Sequence, residues 1–260
     1  MESRIRYLGI LTEQPEALAS FYQTYFGMRE LARSAAGDIS LTEGSFNLSL
    51  LKRRDGLGQL GLSHIGIAVP DVRELEARLE EFAPGVAIEP LDGSPAQGDC
   101  RVTDPNGYPV HISATDFGVA TDTTELPGVR HVALCEPRGD DVTAFFVNVF
   151  GIRETFHSAR SRAEGIPNRF TTDGRINMAI LCDADQMRRR GEPVTPDHMK
   201  LGVNHFGFGV EAYEPIVSRL PAEADASRRV DRPDPNQYRV KDPDGNHIDL
   251  RLGQFWSRER

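Results

Sequence analysis

Apolar and polar residues alternate strictly in two stretches near the C-terminus. Between Gly202 and Val210, Phe206, Phe208 and Val210 fall on one face of a strand, and His205, Gly207 and Gly209 on the other. The second stretch follows Asp242-Pro-Asp-Gly245, a tight turn in which Pro fixes φ and Gly is free to take φ > 0. There Ile248, Leu250 and Leu252 alternate with His247, Asp249 and Arg251. A core needs only the apolar face of such a strand. An imidazole and a carboxylate on the opposite faces call for another explanation. A helical period appears near the N-terminus, where Leu18, Phe21, Tyr22, Tyr25 and Phe26 follow Pro15 at helical spacing and Gly27 ends the run.

The same text recurs along the chain. The short strand Ile5–Leu11, the helix and a tail ending in Ser45-Phe-Asn47-Leu return 124 residues later, as Val129-Arg-His131-Val, Phe145–Gly151 and Arg175-Ile-Asn177-Met. In this register Tyr7 corresponds to His131 and Asn47 to Asn177. The second copy carries extra residues around Thr155 to Arg169, read as a longer hairpin. Two further units match each other. Leu62-Ser-His64-Ile-Gly pairs with Val203-Asn-His205-Phe-Gly, and each is followed by a helix, carrying Val72, Leu75 and Leu79 or Ile216, Val217 and Leu220. Cys100-Arg-Val-Thr-Asp104-Pro-Asn-Gly107 pairs with Tyr238-Arg-Val-Lys-Asp242-Pro-Asp-Gly245, which puts His111 in the place of Asp249. The order strand–helix–strands is thus written four times. Thr115 to Pro127, rich in Thr and Asp, reads as the linker between two halves.

Composition narrows the class. The chain has 260 residues, 39% hydrophobic, and a net charge of −9, which speaks against a nucleic-acid footprint. No apolar run approaches a membrane span and the N-terminus has no signal-peptide core, so a cytoplasmic protein is expected. Cys100, Cys135 and Cys182 are odd in number, far apart and without the paired spacing of a structural zinc site, which suits a reducing compartment.

The two Asp-Pro-x-Gly strands and the two x-His-x-Gly-x strands carry a resemblance to the vicinal oxygen chelate superfamily, whose members include glyoxalase I, bleomycin-resistance proteins, methylmalonyl-CoA epimerase and type I extradiol dioxygenases. The resemblance covers nearly the whole chain. It implies an α+β fold of four βαβββ modules, paired into two domains, 1–116 and 127–260, each with a curved mixed sheet enclosing a cleft. It also implies a metal held by His131, His205 and Asp249 in the C-terminal pair, a 2-His-1-carboxylate set that suits Fe(II) and is compatible with Mn, Zn or Ni. Four modules with the metal in the C-terminal pair is the layout of the extradiol dioxygenases. Those enzymes have Glu where this chain has Asp249. In the N-terminal pair Tyr7, His64 and His111 take the equivalent places with no carboxylate, and a site kept for packing is expected there.

His198, in the connection before the His205 strand, and Tyr238 are the acid/base candidates. The family signature leaves two residues between its tyrosine and the Asp-Pro turn and places a histidine before that tyrosine. Here Arg239-Val-Lys241 intervene and the histidine is absent. His247 shares the face of Asp249, and Arg188-Arg-Arg190 is a charge run open to solvent.

The resemblance implies three functions of different class. The first is a non-haem Fe(II) extradiol-type dioxygenase acting on a catechol-like small molecule and O₂ in aromatic compound catabolism. The second is a metal-dependent glyoxalase- or epimerase-type lyase or isomerase. In it the metal is a Lewis acid, and glyoxalases take a further carboxylate from another module, where this chain has Asn177 and Ala179. The third is a ligand-sequestering protein of the resistance type. A homo-oligomer is expected in each case.

Overall fold

The repeated text folds as repeated structure. The computed structural model describes residues 2–56, 58–92, 95–119, 123–155, 168–181, 201–224 and 237–253. The first module is β1 (Arg4–Thr12), α1 (Pro15–Phe26), β2 (Arg29–Arg33), β3 (Ile39–Thr42) and β4 (Asn47–Lys52). The second is β5 (Gly61–Ala68), α2 (Val72–Phe82), β6 (Glu89–Pro90), β7 (Cys100–Thr103) and β8 (Pro109–Ser113). The third is β9 (Gly128–Cys135), α3 (Gly139–Phe150), β10 (Arg153–Thr155), β11 (Arg169–Thr172) and β12 (Asn177–Leu181). The fourth is β13 (Gly202–Val210), a short α4 (Glu214–Val217), β14 (Gln237–Lys241) and β15 (His247–Leu252).

The helices start and stop where local chemistry dictates. α1 has Pro15 in its first turn and α2 is capped by Asp71, whose side chain accepts from the Arg73 backbone N–H at 2.8 Å. Gly27 and Gly151 end α1 and α3 in the left-handed region, φ 67° and 69°, which a side chain would disfavour. α4 is shorter than the spacing of Ile216, Val217 and Leu220 implies. Pro221 cannot supply the N–H that the next turn needs, and a 3₁₀ turn over Ala222–Ala224 follows instead.

The strands form two curved mixed sheets, with orders β2-β3-β4-β1-β5-β8-β7-β6 and β10-β11-β12-β9-β13-β15-β14. Each sheet is two modules joined through their antiparallel first strands, β1 to β5 and β9 to β13. The expected register holds residue by residue. Tyr7 pairs with Asn47 and Gly66 as His131 pairs with Asn177 and Gly207, and Gly66 pairs with His111 as Gly207 pairs with Asp249. The extra residues of the third module, 156–167, lie outside the described residues.

One hydrophobic cluster runs through both halves. Phe26 of α1 stacks on Phe208 of β13 at 4.2 Å between ring centres, and Tyr22 approaches Phe206 at 6.1 Å. The Tyr22 hydroxyl donates to Asp242 at 2.8 Å, so this Asp-Pro turn anchors against the other half. Helices α2 and α3 also pack together. The Thr115–Pro127 connection is not all linker. Phe117, in a 3₁₀ turn one residue past the expected domain end, is fully buried on the first sheet.

At the other Asp-Pro turn, Asp104–Gly107, Glu136 is fully buried and accepts from the Asn106 side chain at 2.6 Å, near Asp104. Burial, then the like charge of Asp104, push its carboxyl up to about 8. The folded protein therefore holds this proton more tightly than the unfolded chain. The linked stability is complete below about pH 4.5 and is lost as pH rises through about 8. Glu136→Gln, neutral at every pH, is expected to unfold later than wild type in urea at about pH 9 and alike at about pH 4.5. Equal midpoints at the higher pH contradict this.

Candidate metal centre

Three neighbouring strands of the second sheet build the centre. His131 on β9, Gly207 on β13 and Asp249 on β15 lie side by side in register, and His205 stands two residues from Gly207 on the same face. Gly207 contributes no side chain between them. One ligand atom each from His131, His205 and Asp249 lie within 4.8 Å of one another, and all three residues are buried. Among the described residues no other group of three His, Cys, Asp or Glu side chains gathers in this way.

The imidazoles are oriented from behind. His131 Nδ1 donates to the Asn177 side-chain oxygen at 2.9 Å, and His205 Nδ1 to that of Asn204 at 2.9 Å. An oxygen acceptor at each Nδ1 leaves each Nε2 with its lone pair exposed. Burial pushes His131 down to about 4 and His205 down to about 3, although Asp249 pulls both the other way, so both rings are neutral near pH 7. Burial alone would raise the Asp249 carboxyl. The hydrogen bonds and charge of Arg239 oppose this, and the group is held below the usual carboxylate range.

These assignments place a lone pair of His205 Nε2 3.4 Å from Asp249 Oδ2, another electron-rich atom. Two such atoms repel at this distance unless a cation lies between them. The donor set, two neutral imidazole nitrogens and one carboxylate on one side of a cleft, fits a divalent metal with open positions opposite. His131, His205 and Asp249 would hold it.

Of the two acid/base candidates, the structure describes Tyr238 and places it away from the centre. Tyr238 pairs with Leu250, which places it on the core face of the sheet, where it packs with Tyr213 at 6.0 Å and with the hydrophobic cluster. It points away from Asp249. His198 and the Arg188–Arg190 run lie outside the described residues. His247 does share the Asp249 face, half-buried, and borders a pocket between the halves lined also by Gln14, Leu60, Asn204 and Asp244.

The residue that sequence reading missed is Arg239. It pairs with Asp249 across the β14–β15 ladder and grips the carboxylate with two bonds, Nε to Oδ1 at 2.5 Å and Nη2 to Oδ2 at 2.9 Å. The signal was available. With Lys241 opposite His247 across the Asp-Pro turn, Arg239 must face Asp249, and it holds the position three residues before Asp242 where the resembling signature has tyrosine.

The N-terminal counterpart is closed. His64 and His111 lie 3.7 Å apart between ring centres, tilted by 31°, and Tyr7 lies near-parallel to His111 and to Phe117, 5.0 Å from the latter. Phe117 covers Gly66, where an added Cβ would stand 2.5 Å from the ring. Burial lowers His64 well below the imidazole range and His111 to about 4.

Residues 4–112 match the sequence model of the Glyoxalase/Bleomycin resistance protein/Dioxygenase superfamily. No curated protein matches the chain. Among solved structures the fold is similar to the Mn(II)-bound glyoxalase from Novosphingobium aromaticivorans. That likeness has 19% identity and a TM-score of 0.66, over 97% of this chain and 84% of that one. It is similar to a catechol 2,3-dioxygenase, with 17% identity and a TM-score of 0.66 over 98% and 95% of the two chains. It is also similar to homoprotocatechuate 2,3-dioxygenase from Arthrobacter globiformis, with 16% identity and a TM-score of 0.64 over 98% and 81%. At these identities the likeness concerns the fold.

Proposed function

On the premise that this is a chain of the glyoxalase/bleomycin resistance/dioxygenase superfamily, matched in sequence over residues 4–112 and in fold over nearly its whole length, we propose that it is a metal-dependent enzyme. His131, His205 and Asp249 hold one divalent ion, and the substrate is a small molecule that binds it through two adjacent oxygens. The observation that carries this reading is the bare His205 Nε2 facing Asp249 Oδ2 at 3.4 Å, with both imidazoles locked by Asn177 and Asn204.

The reaction we favour is extradiol-type cleavage of a catechol-like ring by O₂, with Fe(II) as the metal. Its support is the layout: four modules in one chain, the donor triad in the C-terminal pair, and the N-terminal counterpart filled by Phe117. Iron(II) would supply the electron transfer that links the two reactants. The chain supplies the rest. Asn177 and Asn204 fix the imidazoles, burial keeps them neutral, and Arg239 holds the carboxylate. The substrate proton needs an acceptor, which we assign to an imidazole, either His198 or His247 on the Asp249 face.

One observation favours a second reading. The Arg239 guanidinium on Asp249 withdraws negative charge from the ligand set, which suits a metal acting as a Lewis acid, as in a glyoxalase- or epimerase-type isomerase or lyase. Asn177 stands on the strand from which glyoxalases take a further carboxylate, and it is engaged with His131.

The test starts from protein purified without oxygen and loaded with Fe(II). A panel of catechols is added, and O₂ uptake and the yellow ring-opened product are followed together. Uptake matched by product supports the dioxygenase. Bound metal with no uptake from any catechol or hydroquinone, but isomerisation of a thiohemiacetal or 2-oxo substrate, gives the function to the second reading. Absence of any bound metal would sink both and leave a ligand-sequestering protein.

A further inference from the structure

The Arg239–Asp249 pair changes the charge of the centre, and with it the kind of ligand the centre prefers. Asp249 is 1% exposed and the Arg239 side chain 26% exposed, so the guanidinium lies on the open side of a buried carboxylate. It engages both carboxylate oxygens, including Oδ2, the atom that also faces His205 Nε2. A planar guanidinium keeps its charge at any working pH and presents five N–H donors, of which Asp249 takes two. A facial set of two imidazoles and one carboxylate normally brings one negative charge to its metal. Here the arginine cancels that charge at hydrogen-bonding distance, so the protein's contribution sums to zero and the full double charge of the ion faces the ligand.

We propose that Arg239 is a positioning residue that matches this centre to ligands whose two adjacent oxygens bring two negative charges, of the catecholate, enediolate or oxalate type, over neutral or singly charged chelators. The inference rests on the metal reading of the same site. Two consequences of opposite sign follow. Arg239 competes with the ion for Asp249, so it weakens binding of the bare cation. It compensates charge once a dianion is bound, so it strengthens binding of the dianion. A side chain that merely packed against Asp249 would strengthen both.

The experiment uses the full chain, wild type, Arg239→Gln and Arg239→Lys, with Mn²⁺ as the ion and oxalate as the dianion. Free Mn²⁺ is counted by electron paramagnetic resonance, and oxalate is titrated into the Mn²⁺-loaded proteins by calorimetry. Arg239→Gln is expected to bind Mn²⁺ at least as tightly as wild type and oxalate about tenfold more weakly, the effect of a loss of roughly 1.4 kcal/mol. Arg239→Lys keeps a charge and is expected to recover most of the oxalate affinity. Unchanged oxalate binding in Arg239→Gln overturns the inference while leaving the metal site standing. Parallel loss of Mn²⁺ and oxalate in both variants assigns Arg239 to packing and overturns it too. Failure of wild type to bind Mn²⁺ removes the metal reading and the inference together.

Discussion

Replacing His205 with alanine is expected to abolish stoichiometric metal binding while the chain stays folded. The ring stands on the cleft face of β13, while the core face of that strand, Phe206 and Phe208, is untouched. Two remaining donors, His131 and Asp249, cannot enclose an ion on one side as three do. Outer-shell partners alone carry roughly 10–100-fold in affinity, so loss of a direct donor should exceed about 100-fold. Removal of the ring also relieves the repulsion between Nε2 and Asp249 Oδ2, so metal-free stability should change little. A simple readout is the stabilisation of wild type by metal, about 2.7 kcal/mol at an ion concentration 100 times the dissociation constant, which should vanish in the variant. The companion change, His64→Ala, is expected to leave one metal per chain in place, because Phe117 already fills the N-terminal position. One equivalent retained in His205→Ala would remove the triad assignment, and one of two equivalents lost in His64→Ala would show that the N-terminal pair also holds a metal.

Phe208→Ala is expected to be among the most destabilising single substitutions in the protein. The side chain is fully buried and stacked on Phe26 at 4.2 Å, with Phe206 at 5.8 Å. Truncation of a buried Phe to Ala costs roughly 3–5 kcal/mol through lost burial and the cavity left behind. The aromatic pair adds about 0.5–1.5 kcal/mol beyond area. Phe26 belongs to the first module and Phe208 to the fourth, and one apolar cluster joins the halves. The loss should therefore appear as a shift of the whole urea transition, with both halves reporting the same midpoint. A cost under about 1 kcal/mol, or a shift confined to the signals of one half, would show that the halves do not share a core in the way the stacking implies.

Much of this protein is legible in its sequence because alternation and repetition are written locally. Parity alone separates His205 from Phe206 and Phe208, and Asp249 from Ile248 and Leu250. Repeated text aligns Tyr7 with His131 and Asn47 with Asn177, and the strand pairings follow that alignment. The same parity, taken across the Asp-Pro turn, puts Tyr238 opposite Leu250 on the core face and Arg239 opposite Asp249. There the resemblance to a tyrosine signature was a poorer guide than strand geometry.

Tertiary structure decided what no period records. Phe117 lies in a Thr- and Asp-rich stretch with no apolar rhythm, yet its ring closes the N-terminal cleft over Gly66. Phe26 and Phe208 are 182 positions apart on elements that each read as ordinary core, and only the packing of α1 on the second sheet makes them one contact. The charge of the centre was settled in the same way. Sequence places one carboxylate and two imidazoles on one face. Their neutrality depends on burial, their orientation on Asn204 and Asn177 at their backs, and the balance at Asp249 on the grip of Arg239. Burial and hydrogen-bond partners are properties of the surrounding atoms in space. A chain can therefore spell out which residues face a cleft while leaving the cleft's charge and contents to the fold.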